Sequence, residues 1–229
     1  MSDAERIGVW FNGVAPALVL VALVVRDRLR RCWSFGLYLA SVAVANLGVA
    51  SSLADPIDWT TWIAAEIVQG ALVMAVALEV TARAFGTLPR ARVVVRTAML
   101  ASVGVALAIV ATGRVTNAHG LAQLAGELVP RFDLAATLLF LTLLAAAHHY
   151  CLPLDDLHAA IAFGLSAYTG LAAAAVHTLA TVGDEARLGI SAALSCSYAL
   201  VLLYWLRAAW AHEPDAAPLI VARLWTWRS

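Results

Sequence analysis

Glu66 and Gln69 stand three residues apart in a stretch built mainly of alanine, valine, leucine and isoleucine. On a helix that spacing puts both side chains on one face. A carboxyl held in apolar surroundings is driven toward its neutral form, which suits it to accept a proton or to grip a ligand. The plainer alternative is a hydrogen bond between helices. Further along the same stretch, Glu79 precedes Arg83 by four positions, the spacing of an ion pair that reaches for the membrane surface. Asn46 lies inside another apolar stretch, where such an amide bridges helices. His177 ends a row with Ser166, Gly170 and Ala173 along one helical face, and small residues there admit a neighbouring helix or a flat ligand. Asn46, Glu66, Gln69 and His177 are therefore the expected lining of any ligand site.

A denser cluster of metal-ligand types is His148, His149, Cys151, Asp155, Asp156 and His158. Imidazole, thiolate and carboxylate suit zinc or another transition metal, with His148, His149, Asp155 and His158 as the candidate set. The competing explanation is local: acids favour helix starts and histidines favour helix ends. One haem held by His149 and His177 is disfavoured, because most of a helix, ~30 Å at 1.5 Å per residue, separates their depths. No cofactor is expected, with haem, a pigment or a transition metal as the alternatives.

Signatures of enzymes are missing. There is no GxSxG, no HExxH and no P-loop, so no catalytic residue is assigned. All 15 basic residues are arginine, and without a lysine there can be no retinal Schiff base. Ser191, Ser195 and Ser197 read as helix-packing residues. Cys32, Cys151 and Cys196 form no CxxC and read as reduced, structural thiols.

These groups need elements to hold them, and the composition decides which. The chain is 62% hydrophobic and 13% charged, with a mean hydropathy of +0.83. A soluble domain carries about a quarter charged residues. Apolar runs of ~20 residues match the hydrocarbon core of a bilayer, and the lack of dyad alternation favours helices over a barrel. A net charge of zero excludes a strong nucleic-acid footprint.

The pattern predicts an all-α membrane protein, a bundle of seven transmembrane helices within residues 1–212. The spans are 8–25, 32–53, 59–82, 93–112, 132–150, 157–182 and 188–210. The first reads as a retained helix rather than a signal peptide, since it has no basic residue cluster ahead of it and is too long. Asp55-Pro56 stops the second. Between the fourth and fifth, residues 113–131 carry Leu121, Leu124 and Leu128 at helical spacing, beside Gln123 and Glu127, as in an amphipathic helix on the outer surface. Residues 213–229 form a tail whose Ile220, Leu224 and Trp227 share a face that fits the inner leaflet.

Arginines set the direction. Arg26, Arg28, Arg30, Arg31, Arg83, Arg90, Arg92, Arg96, Arg207, Arg223 and Arg228 fall on one side; Arg6, Arg114, Arg131 and Arg187 fall on the other. That asymmetry predicts an outside N-terminus and a cytoplasmic C-terminus. Trp10, Trp59 and Trp62 then mark the outer interface, and Trp33, Tyr150, Trp205 and Trp210 the inner one.

Seven helices, the loop Arg26-Asp27-Arg28-Leu29-Arg30-Arg31 and the Trp59, Trp62, Glu66 opening of the third span resemble bacterial seven-helix sensor modules, the membrane portions of some histidine kinases and related stand-alone proteins. The resemblance covers the bundle alone. It implies a bacterial inner-membrane protein that is sensor-like or an accessory subunit, has no catalysis of its own, and acts through a membrane-protein partner or a small apolar ligand. A haem- or pigment-binding electron-transfer subunit is one alternative. A proton-coupled transporter or intramembrane enzyme using Glu66 is another.

Overall fold

The computed structural model describes residues 3–51, 59–86, 97, 100, 101, 104, 108, 121–149, 154–182 and 187–211. Among these the regular structure is helical: α1 (Asp3–Val25), a 3-10 turn (Leu29–Arg31), α2 (Trp33–Ser51), α3 (Trp59–Gly86), α4 (Leu121–His149), α5 (Asp156–Val182) and α6 (Arg187–Trp210). Of the expected helix at 93–112, five residues are described, and all five are helical and exposed. The rest of that span, the stop at Asp55-Pro56, residues 113–120, the turn at 150–153 and the tail at 213–229 lie outside the described residues.

The helices close into a ring. Each of α1 to α5 packs on its successor, and α6 returns to pack on α1. The inside of the ring is dense with Phe35, Leu39, Phe140, Ile161, Leu165, Leu202 and Trp205, all fully buried. The outside is apolar as well. On α1, Val14, Leu18, Val21 and Val25 form an exposed helical stripe, and Leu134, Leu138 and Leu141 do the same on α4. Such faces are intolerable in water and natural against lipid. Four helices carry stretches long and apolar enough to cross a membrane: 63–84, 129–149, 156–179 and 189–210. The apolar stretches of α1 and α2, at 10–25 and 33–48, are shorter.

Lipid tails compete with side chains for apolar contact, so helix association here depends on close packing and hydrogen bonds. Both are present. A Cβ on Gly164 would collide with the indole of Trp205, and one on Gly70 would come within 2.9 Å of Phe132. The absent side chains let α5 meet α6 and α3 meet α4. Thr137 and Thr169 join their hydroxyls at 2.7 Å between α4 and α5. Trp205 departs from the expected interfacial position: it is fully buried, donates to the Ala160 carbonyl at 3.0 Å, and meets Phe35 edge-on at 4.9 Å between centroids. The indole N–H found a carbonyl inside the bundle, which removes its reason to seek the interface.

α4 differs from its expected bounds too. The sequence pattern predicts a surface helix ending at Arg131 and a span starting at Phe132. Instead one helix runs from Leu121 through Pro130 to His149. Proline deletes one helical hydrogen bond, but leaving the helix near a membrane strands more backbone groups than that.

Candidate functional site

Two ends of the ring differ in chemistry. At one end the loop after α1 ties the helices together. Arg28 N–H bonds to the Leu23 carbonyl at 2.8 Å and Asp27 N–H to the Val24 carbonyl at 3.0 Å, the bond pair of a Schellman cap. Asp27 takes the left-handed position usually given to glycine (φ 50°). The turn aims Arg28 at the end of α6, where its guanidinium donates to the carbonyls of Ala208 (2.9 Å) and Ala211 (2.7 Å). Those carbonyls stand at the C-terminal end of α6, where the helix dipole is negative. Arg26 donates to the Trp210 carbonyl at 2.8 Å and lies 5.5 Å over its ring.

The same loop reaches α3 and α5. Glu79 accepts the Ser34 N–H at 2.9 Å, capping α2, while Arg83 donates to Glu79 at 3.2 Å and to the Arg30 carbonyl at 3.2 Å. The Glu79–Arg83 pair is the one its spacing implied; the cap on α2 was not foreseen. His158 places Nε2 3.0 Å from the Arg31 carbonyl and Nδ1 2.7 Å from Asp155. Asp155 also accepts the His158 backbone N–H at 2.7 Å, as the N-cap of α5. Burial works to raise the Asp155 pKa; the hydrogen bonds and charge of His158, helped by Arg31, outweigh it and leave the carboxyl below its ordinary value. Cys32, buried here, has its thiol pushed up to about 12, first by burial and then by Glu79 and Asp155, so it is no nucleophile at neutral pH.

This accounts for part of the proposed metal set. Asp155 and His158 come together, but as cap and bridge, with both ring nitrogens of His158 engaged. His148 and His149 are exposed at the end of α4. Among the described residues no three groups of His, Cys, Asp or Glu stand close enough to hold a metal. Cys151 lies outside the described residues.

At the other end the ring opens into a polar chamber. A cavity of about 200 Å³ is lined by Asn12, Tyr38, Val42, Asn46, Ala65, Glu66, Gln69, Tyr168 and Tyr198. A second, of about 240 Å³, shares Asn12, Tyr168 and Tyr198 with it and continues past Leu179, Ile190, Ser191, Leu194 and Ser195. Three of the four expected lining residues, Asn46, Glu66 and Gln69, thus meet in one place. His177 does not: it is exposed on α5 and lines neither cavity. Asn46, expected to bridge helices, donates to the Val42 carbonyl of its own helix at 2.9 Å and shows its remaining polar face to the chamber. Ser197 bonds back to the Leu194 carbonyl at 2.8 Å, while Ser191 and Ser195 line the second cavity.

Five further residues belong to this end. The rings of Tyr168 and Tyr198 lie 4.9 Å apart, tilted by 48°. Tyr198 is 6% exposed, and its hydroxyl is buried beside the Tyr38 phenol. Asp133, on α4, lies within electrostatic reach of Glu66, Tyr38 and Tyr168. Asn12 contributes from α1. Asp133 could have been flagged from the sequence, since an acid just inside an apolar run is a functional candidate. The tyrosines carried a weaker signal: Tyr38, Tyr168 and Tyr198 sit deep in their helices, away from the aromatic belts.

No protein-family model, curated protein or solved structure matches this chain.

Proposed function

We propose that the chain is a bacterial inner-membrane bundle of seven helices, N-terminus outside, that binds a small ligand between its helices and acts as a sensor-like or accessory subunit to a membrane-protein partner. One observation carries the reading. Asn46, Glu66 and Gln69 converge with tyrosines of α5 and α6 on a chamber at the end away from the arginine loop. Pockets of this kind, between helices and with a few convergent polar groups, are where bundles bind small molecules. Under the arginine asymmetry the arginine loop faces the cytoplasm, and the chamber faces outward. The lining is more polar than a purely apolar ligand would require.

The chain purified from native membranes in mild detergent tests this. Mass spectrometry should find a small molecule or a stoichiometric protein partner, and Ala65→Phe, which fills the chamber, should expel the small molecule. A protein that arrives alone and empty, and binds no small molecule added back, would sink the reading.

A second reading has one observation in its favour. Asp133 and Glu66 lie within each other's electrostatic reach, and intramembrane carboxyls of this kind carry protons across membranes. Uptake in vesicles that is coupled to a proton gradient and abolished by Glu66→Gln would favour a transporter over a receptor.

A further inference from the structure

Granted that the chamber is a ligand site, as proposed above, the hydrogen-bonding character of its walls selects a ligand class. Asn12 enters the first cavity from α1, Asn46 from α2, Gln69 from α3, Tyr168 from α5 and Tyr198 from α6. Three carboxamides thus converge from three helices. Among the described residues, the side chains of Asn12 and Gln69 make no hydrogen bond. Asn46 gives one N–H to the Val42 carbonyl and keeps its oxygen and second N–H. Polar groups inside a bundle are costly without partners, and these walls supply too few of their own. Glu66 lines the same cavity and has interactions of its own, so the match rests on the amides.

A carboxamide both donates and accepts. Its best complement does the same along one edge, as another carboxamide does. An ammonium group only donates and a carboxylate only accepts, so either would leave wall groups unmatched. The wall common to both cavities adds shape. Tyr168 and Tyr198 line each of them, their rings 4.9 Å apart and tilted by 48°. Phenol faces favour a flat aromatic ring lying offset or edge-on against them. Room is sufficient: the cavities, of about 200 and 240 Å³, each exceed the roughly 150 Å³ that admits a benzene ring. Beyond the tyrosines, Ser191 and Ser195 stand four apart on one face of α6 and give the second cavity hydroxyls for a polar substituent at the far end of such a ring.

We infer that the chamber binds an uncharged aromatic carboxamide, with its amide edge among Asn12, Asn46 and Gln69 and its ring against Tyr168 and Tyr198.

Benzamide is the probe, and acetophenone, of the same shape with a methyl group in place of the amide nitrogen, is its control. Benzylammonium and benzoate supply the charged comparisons. Each is titrated onto the full chain in detergent at neutral pH by ligand-observed NMR. Binding is taken as the part that Ala65→Phe removes, which sets aside partition into the micelle; Ala65→Leu stands in should Ala65→Phe not fold. Benzamide should bind saturably and about tenfold more tightly than the other three. Gln69→Met and Asn46→Leu keep side-chain bulk and remove an amide, so each should weaken benzamide by about three- to tenfold and move acetophenone little. Retained helical circular dichroism and a single size-exclusion peak mark each variant as folded; should one amide variant fail there, the other decides together with the benzamide-to-acetophenone ratio in the unaltered chain. Equal affinity for benzamide and acetophenone, tighter binding of either charged probe, or undiminished benzamide affinity in the folded amide variants overturns the inference. Binding of those other probes that Ala65→Phe removes would then leave the chamber standing as a ligand site. If no probe binds, the carboxamide falls, while a partner or native small molecule found on purification would still uphold the broader reading.

Discussion

Asp155 shows how one side chain at the arginine end can do the work of two. It caps α5 through the His158 N–H and holds the imidazole that reaches the Arg31 carbonyl. Its lowered pKa makes the contribution pH-dependent, with a definite sign. A carboxyl whose folded pKa lies below the unfolded one stabilises the fold fully above the unfolded value, about 3.9, and loses that effect as pH falls through the folded value. Thermal denaturation in detergent should therefore show no effect of this carboxyl between pH 5 and 8, about neutral, and a loss setting in below about pH 4. Asp155→Asn keeps a capping oxygen but not the charge, so it should remove part of the acid loss. Asp155→Ala should lower stability by about 1 kcal/mol across the range, as loss of an N-cap does. If Asp155→Asn leaves the acid limb of the curve unchanged, the carboxyl is not what the fold loses in acid.

Between helices, the decisive residues are those that permit approach. Gly164 leaves room for the Trp205 indole, whose N–H is already committed to the Ala160 carbonyl. Gly164→Ala should push the indole off that carbonyl, cost about 1–3 kcal/mol as overpacking does, and shift the tryptophan emission. Gly48 on α2 is the control, since a Cβ there meets nothing within 4 Å. Gly48→Ala should be neutral or should gain up to about 1 kcal/mol of helix propensity. The same contrast explains what could be read in advance. Helix type and the place of the described helices follow from apolar run length, and Glu66 with Gln69 from helical spacing, because both are properties of a single segment. Tyr198 beside Tyr168, Asp133 beside Glu66 and Trp205 beneath Gly164 are relations between segments, and neither period nor spacing encodes which helices meet. The boundary at Arg131 differs for a related reason: Pro130 looks like a break by its own chemistry, but the surroundings decide whether the helix ends there. His177 lies outside both cavities because its row of small neighbours defines a face of α5 without defining what that face meets.

For the whole molecule, the polar chamber and the arginine loop at opposite ends of one ring turn charge asymmetry into a functional statement. The loop residues Arg26 and Arg28 are bound to the end of α6, and Arg83 to the loop and Glu79, so the basic end is built into the fold rather than left to solvent. Moving that end across a bilayer would cost far more than moving the other, which carries few basic groups in the sequence. The arginine end should therefore stay in the cytoplasm. Glu66 and Asp133 should then be approached from outside, and an odd number of spans should put the two chain ends in different compartments. Single cysteines placed at Ser2 and at Ser229 in a variant whose Cys32, Cys151 and Cys196 are replaced by alanine, probed on intact cells with a membrane-impermeant maleimide, check this directly. Ser2→Cys should label from outside and Ser229→Cys only after lysis. Labelling of both from the same side would require an even number of crossings, and labelling in the reverse order would turn the chamber toward the cytoplasm and make an extracellular ligand the wrong one to seek.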